Sequence, residues 1–89
     1  MEETARADGI AATYRETDTE RLLVVSTDGS EATVAQNIDG YAMLAVRDGT
    51  GTEQERYYGF DMALDHVAEL LAVSEHDIPV PDAAEDMGM

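Results

Sequence analysis

Lysine and cysteine are both missing from this chain of 89 residues, and proline occurs only twice. Without cysteine there is no disulfide framework and no thiol chemistry. Without lysine a phosphate-cradling P-loop is out of reach, because its mechanism needs that side chain at the phosphates. Basic charge is scarce altogether: five arginines stand against 20 carboxylates, for a formal net charge of -15. Nucleic-acid binding rests on neutralising phosphates with Lys and Arg. Arg6, Arg15, Arg21, Arg47 and Arg56 are scattered along the sequence, each near acids, and form no basic stripe. The expectation is therefore no nucleic-acid partner and, for the same reason, no anionic membrane surface. No apolar run approaches the length of about 20 residues that spans a bilayer. The opening Met-Glu-Glu-Thr-Ala-Arg has no basic-then-apolar signal pattern. These features predict a cytoplasmic protein.

What is present is apolar sequence in plenty, 44% of the residues, set in that acidic background. Disorder needs low hydrophobicity together with high charge, and the middle of this chain is too apolar and too regular. A small domain is usually comfortable at a net charge magnitude of about 2–8. Beyond that, self-repulsion opposes the compact state. At 1 M salt the Debye length falls to about 3 Å, and neighbouring carboxylates hardly repel. Acidic charge with arginine as the only base thus reads as halophilic.

The length allows one domain with a small core, and dimerisation would ease its marginal stability. Residues 1–8 are polar and acidic and read as a flexible tail. Residues 10–16 alternate, with Ile10, Ala12 and Tyr14 on one face, and predict a first strand. Leu22-Leu23-Val24-Val25 and Ala32-Thr33-Val34-Ala35 are two more, joined through Asp28-Gly29, a dipeptide suited to a type I′ hairpin turn. That turn sets a register in which Val25 faces Ala32 and Leu23 faces Val34. Leu23, Val25, Ala32 and Val34 then meet the core. Leu22, Val24, Thr33 and Ala35 share the other face, which is less polar than a fully solvated face should be. Residues 41–47 and 54–58 complete a meander of about five strands. From 62 to 73 the period becomes helical: Ala63, Leu64, Val67, Ala68, Leu70 and Leu71 fill one stripe, and Asp61 is a candidate N-cap. Pro79 and Pro81 stop regular structure, leaving residues 79–89 as an acidic tail with room for one helical turn after Pro81. The predicted architecture is a two-layer α+β domain over residues 9–78, an antiparallel meander with one amphipathic C-terminal helix packed on one face.

The chemical clusters are weak. Asp48-Gly49-Thr50-Gly51-Thr52 reads as a hairpin loop. Asp65, His66 and Glu69 could reach a common exposed ion, yet a solvated helix face in so acidic a chain carries such a set by chance. Ser74, His76 and Asp77 sit in one short turn and cannot converge as a nucleophile, base and orienting acid must. No catalytic residue, metal ligand or cofactor is assigned, and the chain is expected not to be an enzyme. Tyr57 and Tyr58 are neighbours on a strand and point to opposite faces, so one belongs to the core and the other to the surface or a contact.

The segments Gln36-Asn37-Ile38-Asp39-Gly40-Tyr41-Ala42-Met43-Leu44 and Arg56-Tyr57-Tyr58-Gly59-Phe60-Asp61-Met62-Ala63-Leu64-Asp65-His66, with the ending Pro79-Val80-Pro81-Asp82-Ala83-Ala84-Glu85-Asp86-Met87-Gly88-Met89, resemble a family of short haloarchaeal proteins of uncharacterised function. The resemblance covers nearly the whole chain. It implies a haloarchaeal cytoplasm and no known activity, and it carries over no functional residue. The functional expectation is a non-enzymatic protein-interaction or homodimeric domain, with Leu22, Val24, Tyr57, Tyr58 and His66 as candidate contact residues. The alternative is a small-ligand or metal-binding module with a pocket between sheet and helix lined by Tyr57, Tyr58 and His66.

Overall fold

A computed structural model describes residues 2–39 and 43–88. Six strands, β1 (Glu2–Ala7), β2 (Ile10–Glu16), β3 (Glu20–Ser26), β4 (Glu31–Asn37), β5 (Leu44–Arg47) and β6 (Glu53–Tyr57), form one antiparallel sheet in sequence order. One α-helix, α1 (Phe60–Leu71), lies on one face, followed by 3-10 turns at Glu75–Asp77 and Asp82–Ala84. The α+β meander expected from the sequence is what forms, with six strands in place of about five. Tyr41 and Ala42, read by their alternation as the start of the strand at residues 41–47, lie outside the described residues.

The additional strand corrects the reading of residues 1–8 as a tail. Asp8 and Gly9 take φ of 52° and 80°, the pair of positive values a type I′ turn requires, and Ala7 pairs directly with Ile10. The charged strand this turn folds back is the sheet edge, where charge discourages pairing with a further strand. Asp28-Gly29 behaves differently. Neither residue has a positive φ, and the connection is a wider loop closed by the Thr27 N–H donating to the Ser30 carbonyl at 2.9 Å. The register is nonetheless the expected one, with Val25 opposite Ala32 and Leu23 opposite Val34. All four of those side chains are buried, because a one-residue slip would turn the apolar set outward.

The helix begins at Phe60 with Gly59 as N-cap and no side-chain cap, so Asp61 sits in the first turn and not at the cap. It ends where Ala72 turns left-handed at φ 57° and the Val73 N–H reaches back to the Ala68 carbonyl at 3.0 Å. Ala63, Leu64, Val67, Ala68 and Leu71 are buried against the sheet, and Leu70 is half-buried.

Twelve helical residues rise only about 18 Å, while six strands span about 24 Å. The helix lies over β4, β5 and β6. The end of the chain covers the rest, which corrects the reading of residues 79–89 as an acidic tail outside the domain. Ala84 and Met87 are buried in the same core as Tyr14, Leu23 and Leu44. The Ala83 N–H donates to Glu3 Oε2 at 3.2 Å. Arg21 donates to the Ala83 carbonyl at 3.1 Å and forms an ion pair with Asp86. Its Nε also donates to the Tyr14 hydroxyl at 2.8 Å. Among the described residues no helix lies on the opposite face of the sheet.

Candidate functional site

Strand pairing decides what that open face presents. The cross-strand row Glu2, Arg15, Leu22, Ala35, Ala45 and Arg56 runs the full width of the sheet. The next row holds Thr4, Thr13, Val24, Thr33, Arg47 and Glu53. Leu22, Ala35 and Ala45 pack as a small apolar cluster of their own, and Leu22 is 9% exposed. Leu22 is therefore covered by its own chain, while Val24 beside it stays half-exposed. Of the contact residues expected from sequence, these two share the open face.

Four of the five arginines, Arg6, Arg15, Arg47 and Arg56, stand on this face, although they are scattered in sequence. Four glutamates stand with them: Glu2, Glu20, Glu31 and Glu53. Arg47 binds Glu20 through two hydrogen bonds of 2.6 and 3.3 Å. Arg56 grips Glu53 with two of 2.9 Å, and that hydrogen bond holds the Glu53 carboxyl below the usual range. Among the described residues Arg6 and Arg15 make no ion pair. The strand residues of the face thus cancel to a net charge of zero, and the formal charge of -15 falls on the rest of the molecule. A cleft of about 350 Å³ opens here over Leu22, Val24 and Thr33, between Arg15 and Arg47. The sequence signal was parity: within each strand every second residue shares a face, but it points to one face only once all the pairings are known.

Tyr57, Tyr58 and His66 lie elsewhere. Tyr57 is half-buried on the helix side of β6, and its hydroxyl lies 2.9 Å from His66 Nδ1. The two rings meet edge to face, with centroids 5.8 Å apart. Burial pushes the Tyr57 hydroxyl pKa up, helped by Glu55, Glu69 and Asp65 nearby. Tyr58 is 68% exposed, as the alternation of neighbours requires. Leu22 and Val24 therefore share the open face, Tyr57 and His66 meet on the helix side, and Tyr58 follows the end of β6. The structure engages His66 with Tyr57, and clefts open at the β1–β2 turn beside Ser26, at the loops around Ser30 and Gly49, and on the open face.

The remaining clusters have structural settings. Among the described residues no three His, Asp or Glu side chains are placed to hold one metal ion. His76 and Asp77 are exposed on a short 3-10 turn. Ser74 precedes it without a side-chain capping bond. Asp48 organises the β5–β6 hairpin, accepting the Thr50 N–H at 2.9 Å, the Thr52 N–H at 3.1 Å and the Thr50 hydroxyl at 2.7 Å. These bonds, the Thr50 hydroxyl first, lower the Asp48 pKa.

No helix among the described residues is long and apolar enough to cross a membrane. Comparison with curated proteins gives no match, and comparison with solved structures gives none either. A family match spans residues 4–89, so it takes in most of the edge strand and the closing C-terminal segment. The chain belongs to DUF7111, a family of unknown function.

Proposed function

We propose that this domain works by contact with another protein surface and not by catalysis, that the open face of the sheet is its contact surface, and that its setting is the salt-rich cytoplasm of a haloarchaeon. The observation that carries the reading is the gathering of four of five arginines on the one sheet face that no helix covers. A protein with a formal charge of -15 repels most macromolecules of its own kind at low salt. A neutral face with Val24 half-exposed among arginine and threonine is where desolvation costs least and where arginine can bond a partner. The non-enzymatic part is supported by the two histidines, one bonded to Tyr57 and the other exposed on a turn. Global acidity with arginine as sole base supports the halophilic setting.

Site-specific photo-crosslinking in the native host tests the assignment. A photoreactive residue replacing Thr33, on the open face, should give discrete protein adducts. The same residue replacing Asp65, on the exposed side of α1, should give none. Adducts from position 65 alone would reverse the assignment.

A further inference from the structure

Resting on the reading of the open face as a contact surface, we infer that its occupant is a second copy of this chain, packed face to face about a two-fold axis running along the boundary between β3 and β4. Three observations favour that occupant. The first is the charge division: two chains of -15 bring the fewest like charges together where they meet through the surface that lacks net charge. The second is self-complementarity. The face mixes four arginines with four glutamates, so it fits another surface of the same mixed kind better than a uniformly acidic or basic one. In a two-fold dimer the same patch serves both sides. With the axis between β3 and β4, β1 of one copy lies over β6 of the other, and Glu2 comes to Arg56 of the partner copy in the same cross-strand row. Arg15, which makes no ion pair among the described residues, comes beside Glu53 of the partner copy. Val24, half-exposed beside the buried Leu22 and Ala35, lies next to the axis and faces the partner copy.

The third observation is size. Six strands of up to seven residues give a flat footprint of about 550 Å² per copy from strand spacing and rise. A stable interface buries about 800 Å² per partner. The flat footprint of the whole face is below that scale, so a dimer formed on it must use the charged margins at β1 and β6 as well as the centre. Aligned sheet packing at about 30°, with the sheets about 10 Å apart, accommodates this.

Analytical ultracentrifugation of the full chain in molar KCl reads the result. The expected species is twice the 9.6 kDa chain, and Val24→Arg should be a monomer with an unchanged circular dichroism spectrum. Two margin variants give a readout that does not depend on the centre. At the lowest KCl that keeps the fold, Glu2→Arg and Arg56→Glu should each weaken the dimer by about tenfold, because an exposed pair is changed twice in a two-fold assembly. The double variant should regain wild-type affinity. A wild-type chain that is monomeric at every concentration overturns the inference. So does a dimer that survives Val24→Arg, or a double variant no better than either single. The contact-surface reading then stands or falls separately: Thr33 adducts with a different protein keep it, and their absence removes it as well.

Discussion

Replacing Met87 with alanine should destabilise this domain more than its place, two residues from the end of the chain, suggests. The side chain is 1% exposed and sits in the same core as Leu23, Leu44 and Val67. Around it the backbone is close-packed. A Cβ added at Gly88, whose φ is 87°, would lie 3.0 Å from Leu44 Cδ1 and 3.3 Å from the Phe60 nitrogen, so the segment has little freedom to collapse into the space vacated. Truncation of a buried Met, Leu or Ile to Ala costs about 2–5 kcal/mol, and poor collapse favours the upper half. Against a total stability of about 5–15 kcal/mol, that is about a quarter or more of what holds the fold. For a domain of this size each kcal/mol moves Tm by about 4–8 °C, which puts the expected drop at 10 °C or more. Thermal melts of wild type and Met87→Ala in molar KCl, followed by far-ultraviolet circular dichroism, measure it. A shift within about 2 °C, the scale of an ordinary surface substitution of under 0.5 kcal/mol, would refute the placement of residues 82–88 in the core.

Three further outcomes follow from the same structure. Asp86 and Asp48 have pKa values lowered in the folded chain, by the Arg21 hydrogen bond and the Thr50 hydroxyl respectively; with folded values below the unfolded ones, their stabilisation is complete above about pH 4 and is lost as pH falls through the depressed values. Asp86→Asn should therefore flatten the acid limb of a pH–stability profile in molar KCl, and an unaltered limb counts against the Arg21–Asp86 pair. Gly9→Ala places a side chain at φ 80° and should cost about 1 kcal/mol or more, loosening β1, whereas Gly29→Ala, with no positive φ and open space around it, should cost little; equal effects in parallel melts would contradict the turn geometry. Folding itself should depend on salt: circular dichroism should show structure growing from low to molar KCl, and a fold complete at low salt would count against the halophilic reading.

The difference between Asp8-Gly9 and Asp28-Gly29 shows where the sequence was legible. The central hairpin could be read because β3 and β4 carry strong apolar alternation on both sides of the turn, and the register follows from the buried set whatever the turn type. The same dipeptide at residue 8 was obscured because β1 carries only Ala5 and Ala7 toward the core, among charges. The closing segment was hidden in the same way, since Ala84 and Met87 bury their side chains between Asp82, Glu85 and Asp86. The helix was legible from its stripe, but its cap was not. Glycine at the N-cap offers no side-chain signal, and Asp61 attracts the assignment two positions too late. Val24 was placed by alternation, which for Tyr57 and Tyr58 gave opposite settings without saying which of the two is outward. The gathering of arginines was not, because a face shared by β1, β2, β5 and β6 exists only after every hairpin is in register.

The central claim is that the open sheet face is where this protein makes contact, and relaxation of methyl signals by a soluble nitroxide tests it most directly. Val24 reports the open face, and Met62, 59% exposed on the helix, serves as the reference. On moving from dilute purified protein to host extract in molar KCl, the Val24 methyls should become protected from the nitroxide while Met62 stays as accessible as before. Protection of Met62 with Val24 still fully relaxed would contradict the account.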